Sequence, residues 1–284
     1  MKILCLFYDS PGGINIVNDL TYEGVKYWAA RYRPEAIISV FKSADSYAQV
    51  HRDAITREHP DILITQDTFP NILEAMQEQT SLPKFCFMVP PLGDEETKYP
   101  SIQFLRLYRR EQSFDPSKEF HMPFDILQWP TLRPWKERKP FCYIGRFHQT
   151  KISEDVISLG VETYGEPNDT PYYHFAISRR SYKGWLKERK DVNITLNNYK
   201  YHVLHTRTDC FSLISAEAMM SGTIPIFIPQ SNYSLEPWID WLPEDYGLKF
   251  ESFLDFYAQR DYLESQDFSQ KAQKESHWIK AFHN

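Results

Sequence analysis

Two stretches of this sequence carry side chains whose types and spacing point to anion and hydroxyl chemistry. In "GRFHQTK", Arg146 and Lys151 stand five residues apart, just after Gly145. A glycine at a strand end lets a ligand approach the backbone closely. Arginine offers forked hydrogen bonds and lysine a mobile point charge, a pair suited to a diphosphate. The same heptapeptide also reads as a solvated turn with two surface cations. In "DCFSLISAEAMMSG", Asp209 and Glu217 stand eight residues apart. Ser212 is expected to cap a helix that starts at Leu213. Free N–H groups at such a start favour an anion, while the two carboxylates accept hydrogen bonds from sugar hydroxyls. The local chemistry suits a polyhydroxyl ligand with an attached phosphate, that is, a nucleotide sugar. A plain helix with a capping acid and one exposed glutamate fits the same residues.

These residues need strands and helices to hold them. Short apolar runs alternate with longer helix-patterned segments along the chain. "KILCLFY", "AIISVF", "PDILITQD" and "PKFCFMV" read as strands, with helix-patterned stretches between them. This rhythm predicts a parallel sheet covered by helices. Residues 121–140 then hold four prolines, Pro123, Pro130, Pro134 and Pro140, and read as a linker. Alternation restarts after it. "FCYIGRF", "ISLGVETYG", "YYHFAIS", "YHVLHTR" and "TIPIFI" read as strands, "SLISAEAMMSG" as a helix, and the last thirty or so residues as two helices. In an open α/β sheet, ligands gather at the carboxyl ends of strands. Both "GRFHQTK" and the Asp209 segment follow predicted strands.

Composition narrows the function classes. The chain has 284 residues, 42% hydrophobic and 25% charged, with a formal net charge of −6. That length favours two domains, each able to bury a core without a metal or disulfide staple. The acidic balance argues against a general nucleic-acid coat. Cys5, Cys86, Cys142 and Cys210 form no C-x-x-C pair, which argues against zinc and dithiol chemistry and for reduced thiols in a cytoplasmic protein. The N-terminus reads as a strand rather than a signal peptide, and no apolar run has the length of a membrane span. His202 and His205 lie three apart on a strand, on opposite faces, and make a poor metal pair. Asp9 and Asp67 end strands, where aspartate ordinarily caps or solvates. The tryptophans at 129–135 and 238–241 read as hinge packing.

The two motifs in order, with roughly sixty residues between them, resemble the C-terminal domain of GT-B glycosyltransferases, especially the retaining GT4-like group. That family shows G-R-x-x-x-x-K, matched by Gly145, Arg146 and Lys151. It later shows E-G-F-G-L-x-x-x-E-A-M-A-x-G-x-P-V. Here Asp209, Phe211, Leu213, Glu217, Ala218, Met219, Gly222 and Pro225 follow the pattern, with one extra residue before the proline. Asp209 replaces the family's first glutamate, Cys210 and Ser212 its glycines, and Ile152 the glycine after its lysine. "DSPGGINIVNDL", with Gly12 and Gly13, looks like the family's acceptor-side loop.

The resemblance implies an α/β fold of the GT-B kind, two Rossmann-like parallel-sheet domains facing across a cleft. The expected boundaries are 1–130 on the acceptor side, 131–268 for the nucleotide sugar, and 269–284 as a helix packing back on the first domain. It further implies transfer of a sugar from a UDP- or GDP-sugar to the hydroxyl of a glycan or lipid-linked saccharide, without metal or cofactor. Arg146, Lys151 and Asp209 would be catalytic. Gly145, Cys210, Phe211, Ser212, Leu213 and Glu217 would bind the donor, with Glu217 on the ribose. Two other readings stay open: a phage-type glycosyltransferase acting on hydroxymethylated DNA, with "RLYRR" and "RPWKERK" as a phosphate track, and a non-catalytic partner subunit that binds sugar nucleotides.

Overall fold

A computed structural model of the chain describes residues 1–9, 13–66, 68–88, 94–107, 119–120, 129–207, 212–230 and 242–282. The chain divides into two units, Met1–Ile126 and Leu127–Phe282.

The first unit runs β1 (Lys2–Tyr8), α1 (Gly13–Tyr32), β2 (Ile37–Ser43), α2 (Ala48–Glu58), β3 (Ile62–Gln66), α3 (Pro70–Gln77), β4 (Lys84–Met88), α4 (Glu95–Lys98), β5 (Gln103–Leu107) and β6 (Glu119–Phe120). Its strands pair in the order β2-β1-β3-β4-β5-β6, all parallel. β1 lies inside this sheet, so both of its faces must be apolar. Ile3, Cys5 and Phe7 share a cluster with Val25 of α1, while Leu4 and Leu6 share another with Ala54 of α2 and Ile72 of α3. The period-2 side-chain alternation of a strand thus feeds two helical layers. Cys5, Cys86 and Cys142 are buried.

The second unit runs β7 (Lys139–Ile144), α5 (Glu154–Ser158), β8 (Glu162–Tyr164), α6 (Pro171–Ser178), β9 (Tyr182–Gly184), α7 (Arg189–Leu196), β10 (Tyr199–Thr206), α8 (Leu213–Met220), β11 (Ile224–Pro229), β12 (Leu248–Lys249), α9 (Phe253–Ser265) and α10 (Ser269–Phe282). The strand order is β12-β11-β10-β7-β8-β9, again all parallel. The order reverses between β7 and β10, which is where open α/β sheets take their ligands. Tyr143, Tyr201 and Ile226 pack against Val156 of α5 and Phe256 of α9 on one face. Cys142 and Ile144 pack against Leu196 of α7 and Ala218 of α8 on the other. α10 packs on α8 and β11 within this unit, and Ser276 Oγ donates to Met220 O at 3.1 Å.

One expected strand is a helix. "YYHFAIS" forms most of α6, because Pro171 opens it at N1 and the Thr170 hydroxyl accepts the Tyr173 N–H as a cap. A threonine–proline start outweighs the β-propensity of the aromatic run. Three of the four cations in "RPWKERK" are paired or buried. Lys139 pairs with Glu162 at 2.9 Å and Arg133 with Glu137 at 3.4 Å, and Arg138 is buried, 6% exposed. "RLYRR" falls at 106–110, and 108–110 lie outside the described residues. Trp135 serves packing: it meets Tyr201 edge-on at 5.6 Å and donates from Nε1 to Gln266 O.

Candidate functional site

The cation loop leaves β7 at the reversal point of the second sheet. Its shape is set by backbone hydrogen bonds. The Gly145 N–H donates to Tyr164 O at 3.0 Å, and Lys151 N to His148 O at 2.8 Å. The Tyr143 hydroxyl donates to Arg146 O at 2.7 Å. Thr150 O accepts twice from the end of β10, from Arg207 N at 3.0 Å and Thr206 Oγ1 at 2.6 Å. Residues 145–151 are therefore tied to the strand that carries the second motif. Arg146 is exposed and Lys151 half-buried.

Gly145 has a packing reason to be glycine beside the one its place in the motif implies. A Cβ there would sit 2.6 Å from the Tyr143 hydroxyl oxygen. The residue makes room for the tyrosine that holds Arg146 O.

Beside the loop lies a cavity of about 350 Å³, lined by Gln149, Ser153, His205, Arg207, Gln230 and Phe253 among others. Its walls are interlocked polar groups. The Ser153 hydroxyl and His205 Nδ1 lie 2.6 Å apart, Arg207 Nε donates to Gln230 Oε1 at 3.0 Å, and Gln230 Nε2 donates to His205 O at 2.6 Å. Burial holds the His205 imidazole below its ordinary pKa. The size suits a small ligand.

A second histidine, His202, clamps the end of β7. Its Nε2 lies 3.0 Å from Ile144 N and 3.3 Å from Ile144 O, so it accepts from the one or donates to the other according to its tautomer, and Nδ1 has no hydrogen-bond partner. Burial pushes its pKa down to about 4. The folded value lies below the unfolded one, so the stabilisation is present above pH 6.5 and is lost as pH falls from there toward 4. The expected loss is on the order of 3 kcal/mol. Urea unfolding at pH 7 and pH 4.5 checks this. The wild type should lose that stability, and His202→Gln should show a markedly shallower pH dependence; equal slopes would contradict the clamp.

The second motif is described in part. Asp209, Cys210 and Phe211 lie outside the described residues, as do Gly12 and Asp67. Gly13 opens α1. Ser212 stands at the N-cap of α8 with extended backbone, but its side chain makes no capping bond. Its hydroxyl is instead buried and unpartnered. Leu213 begins the helix, half-buried.

Glu217 is not an exposed glutamate. It is 5% exposed, and its Oε1 lies 2.8 Å from Arg189 Nε on α7. Burial pushes its carboxyl above the usual carboxylate range, and the guanidinium draws it back. α8 ends in a Schellman motif. Gly222 has φ +68°, Thr223 N donates to Ala218 O at 2.8 Å, and Gly222 N to Met219 O at 2.9 Å. Only glycine adopts that left-handed turn without strain, which accounts for the small-residue exit into β11. Arg189 escaped the sequence reading. The sole signal was a basic residue opening a helix that the pattern did not mark.

No family model matches the sequence, and no curated protein matches it. Solved structures do match. A lipopolysaccharide outer core galactosyltransferase, WaaB, is 14% identical with a TM-score of 0.61, over 100% of this chain and 96% of that one. The sucrose-phosphate synthase (tll1590) of Thermosynechococcus elongatus is 11% identical with a TM-score of 0.67, over 100% and 95%. The glycosyltransferase SnogD of Streptomyces nogalater is 10% identical with a TM-score of 0.53, over 99% and 96%. Two parallel-sheet α/β units, matched over their whole length by such structures, identify the architecture of this chain as the GT-B fold.

Proposed function

We propose that the chain is a glycosyltransferase that moves a sugar from a nucleoside-diphosphate sugar to an acceptor hydroxyl, with retention. The observation that carries this reading is the Arg146–Lys151 loop. Two cations sit on a loop at the reversal point of the second sheet, tied to β10 through Thr150 O. Cations fixed beforehand stabilise the charge that grows on a departing diphosphate and need no reorganisation as it leaves. The buried carboxylate of Glu217 supplies the acceptor that ribose hydroxyls require. The acceptor hydroxyl attacks from the face the diphosphate leaves, with no protein nucleophile. A glycan or lipid-linked saccharide is the proposed acceptor, supported by the lipopolysaccharide outer core named for one similar structure. Among the described residues, no helix is long and apolar enough to cross a membrane.

A panel of UDP-, GDP- and ADP-sugars, incubated with the protein and read by mass spectrometry, tests this. Slow hydrolysis of one donor is expected, with UDP- or GDP-sugars favoured. If every donor stays intact and none binds, the reading fails.

A further inference from the structure

Helices α7 and α8 pack along two matching stripes. Val192 and Leu196 of α7 share a cluster with Ile214 and Ala218 of α8. Arg189 and Asn193 continue the α7 stripe at helical spacing, and Glu217 adjoins the α8 stripe. The apolar members are packed, but the polar ones are not satisfied. Arg189 Nε and Nη2, Asn193 Oδ1, Ser212 Oγ, Ser215 Oγ and Glu217 Oε1 are all buried without a hydrogen-bond partner. The 2.8 Å contact between Arg189 and Glu217 is an ion pair whose N–H is not aimed at the oxygen. Ser212, Ser215 and Asn193 are 1%, 0% and 2% exposed. Native interiors leave few such groups unpaired, because each costs about 1–3 kcal/mol. Six of them on two adjoining helices mark a place where a partner belongs.

The free atoms say what partner fits. Nε and Nη2 form one edge of the guanidinium, a fork that donates to two adjacent oxygens. Glu217 Oε1 accepts. A ribose 2′,3′-diol has two adjacent oxygens that both accept and donate. α7 starts where β9 ends and α8 follows β10, so Arg189 lies at the carboxyl edge of the sheet, as the cation loop does.

We infer that Arg189 is a recognition residue for the donor's ribose, acting with Glu217 as a two-armed clamp on the diol. The inference rests on the nucleoside-diphosphate reading above. The guanidinium donates to the diol oxygens while the carboxylate accepts from their hydroxyls. The clamp selects ribonucleotides over 2′-deoxyribonucleotides, because removing one hydroxyl leaves buried polar atoms unpaired.

Calorimetry with UDP, GDP, their 2′-deoxy counterparts and inorganic pyrophosphate tests this on the wild type, Arg189→Gln and the Arg189→Gln/Glu217→Gln double variant. The double variant leaves no lone buried charge and covers the case in which the single one misfolds; circular dichroism confirms folding. The wild type should bind the better ribonucleotide at least about tenfold more tightly than its deoxy form. Either variant should lose most of that preference while pyrophosphate binding changes less than about twofold. A preference retained in both variants overturns the clamp. So does an equal loss for nucleotide and pyrophosphate, which would mark a structural role. If the wild type binds both sugar forms equally, the clamp fails and the donor reading stands. If the wild type binds no nucleotide at all, the donor reading fails first.

Discussion

Replacing Arg146 or Lys151 by alanine is expected to lower kcat by about 10²–10³-fold, or roughly 3–4 kcal/mol of transition-state stabilisation, with the fold intact. The two expectations have separate physical grounds. The loop takes its shape from main-chain bonds at Gly145, Arg146, Thr150 and Lys151 and from the Tyr143 and Thr206 hydroxyls. Truncating the two cationic side chains leaves those bonds in place. On the proposed function, the charge they supply matters most once the glycosidic bond is breaking, so kcat should fall more than KM rises. Single-turnover kinetics with the donor found in the panel, paired with thermal melts, checks both halves. Near-wild-type turnover in either variant would remove that cation from the mechanism. Arg146→Lys should recover part of the rate, because charge survives while the fork is lost.

The largest stability effect is expected at Arg138. Its guanidinium is buried and donates to main-chain carbonyls: Nε to Arg133 O at 2.9 Å and Nη1 to Gly222 O at 2.5 Å, with longer contacts to Tyr199 O and Ser221 O. Nη2 donates to Asn197 Oδ1 at 2.9 Å. Burial draws its pKa down to about 10, and the charge persists because these carbonyls surround it. Two of them belong to the turn that closes α8, where a cation also suits the helix dipole. Arg138→Met fills similar space but takes the donor from Arg133 O, Ser221 O and Gly222 O, while Tyr199 O keeps the Thr223 hydroxyl and Asn197 Oδ1 keeps the Arg133 N–H. The expected cost is about 3–5 kcal/mol, a drop of roughly 10 °C in the melting midpoint of the second unit. Differential scanning calorimetry measures it. A shift under about 2 °C would show that water replaces the guanidinium without penalty.

Much of the architecture is legible in the sequence, and what is not has identifiable causes. β1, β4, β7 and β11 are largely apolar runs, as strands buried on both faces tend to be, while β3 and β10 mix apolar residues with the buried Thr65, His202 and His205. β6, β9 and β12 span two or three residues each and leave no periodic trace. The cation loop and the α8 helix were visible because their chemistry is local. The partnership of Glu217 with Arg189 was not: it joins two helices whose alignment depends on Val192, Leu196, Ile214 and Ala218 meeting in three dimensions. Ser212 has a capping residue's identity and position, yet its hydroxyl is buried and unbonded. Propensity correctly gave its place at the helix start and missed its state.

The two hydrogen bonds on Thr150 O bear on the order in which the protein is made. The Thr206 hydroxyl that holds this carbonyl lies 56 residues further along the chain. During synthesis, domains fold from the N-terminus as residues emerge. The first unit can complete its sheet while β10 is still unmade, and at that stage the Arg146–Lys151 loop lacks its anchor. A nascent chain therefore has no formed Arg146–Lys151 loop until β10 has paired with β7. The cation loop becomes competent only late, together with the strand that leads into the Glu217 helix.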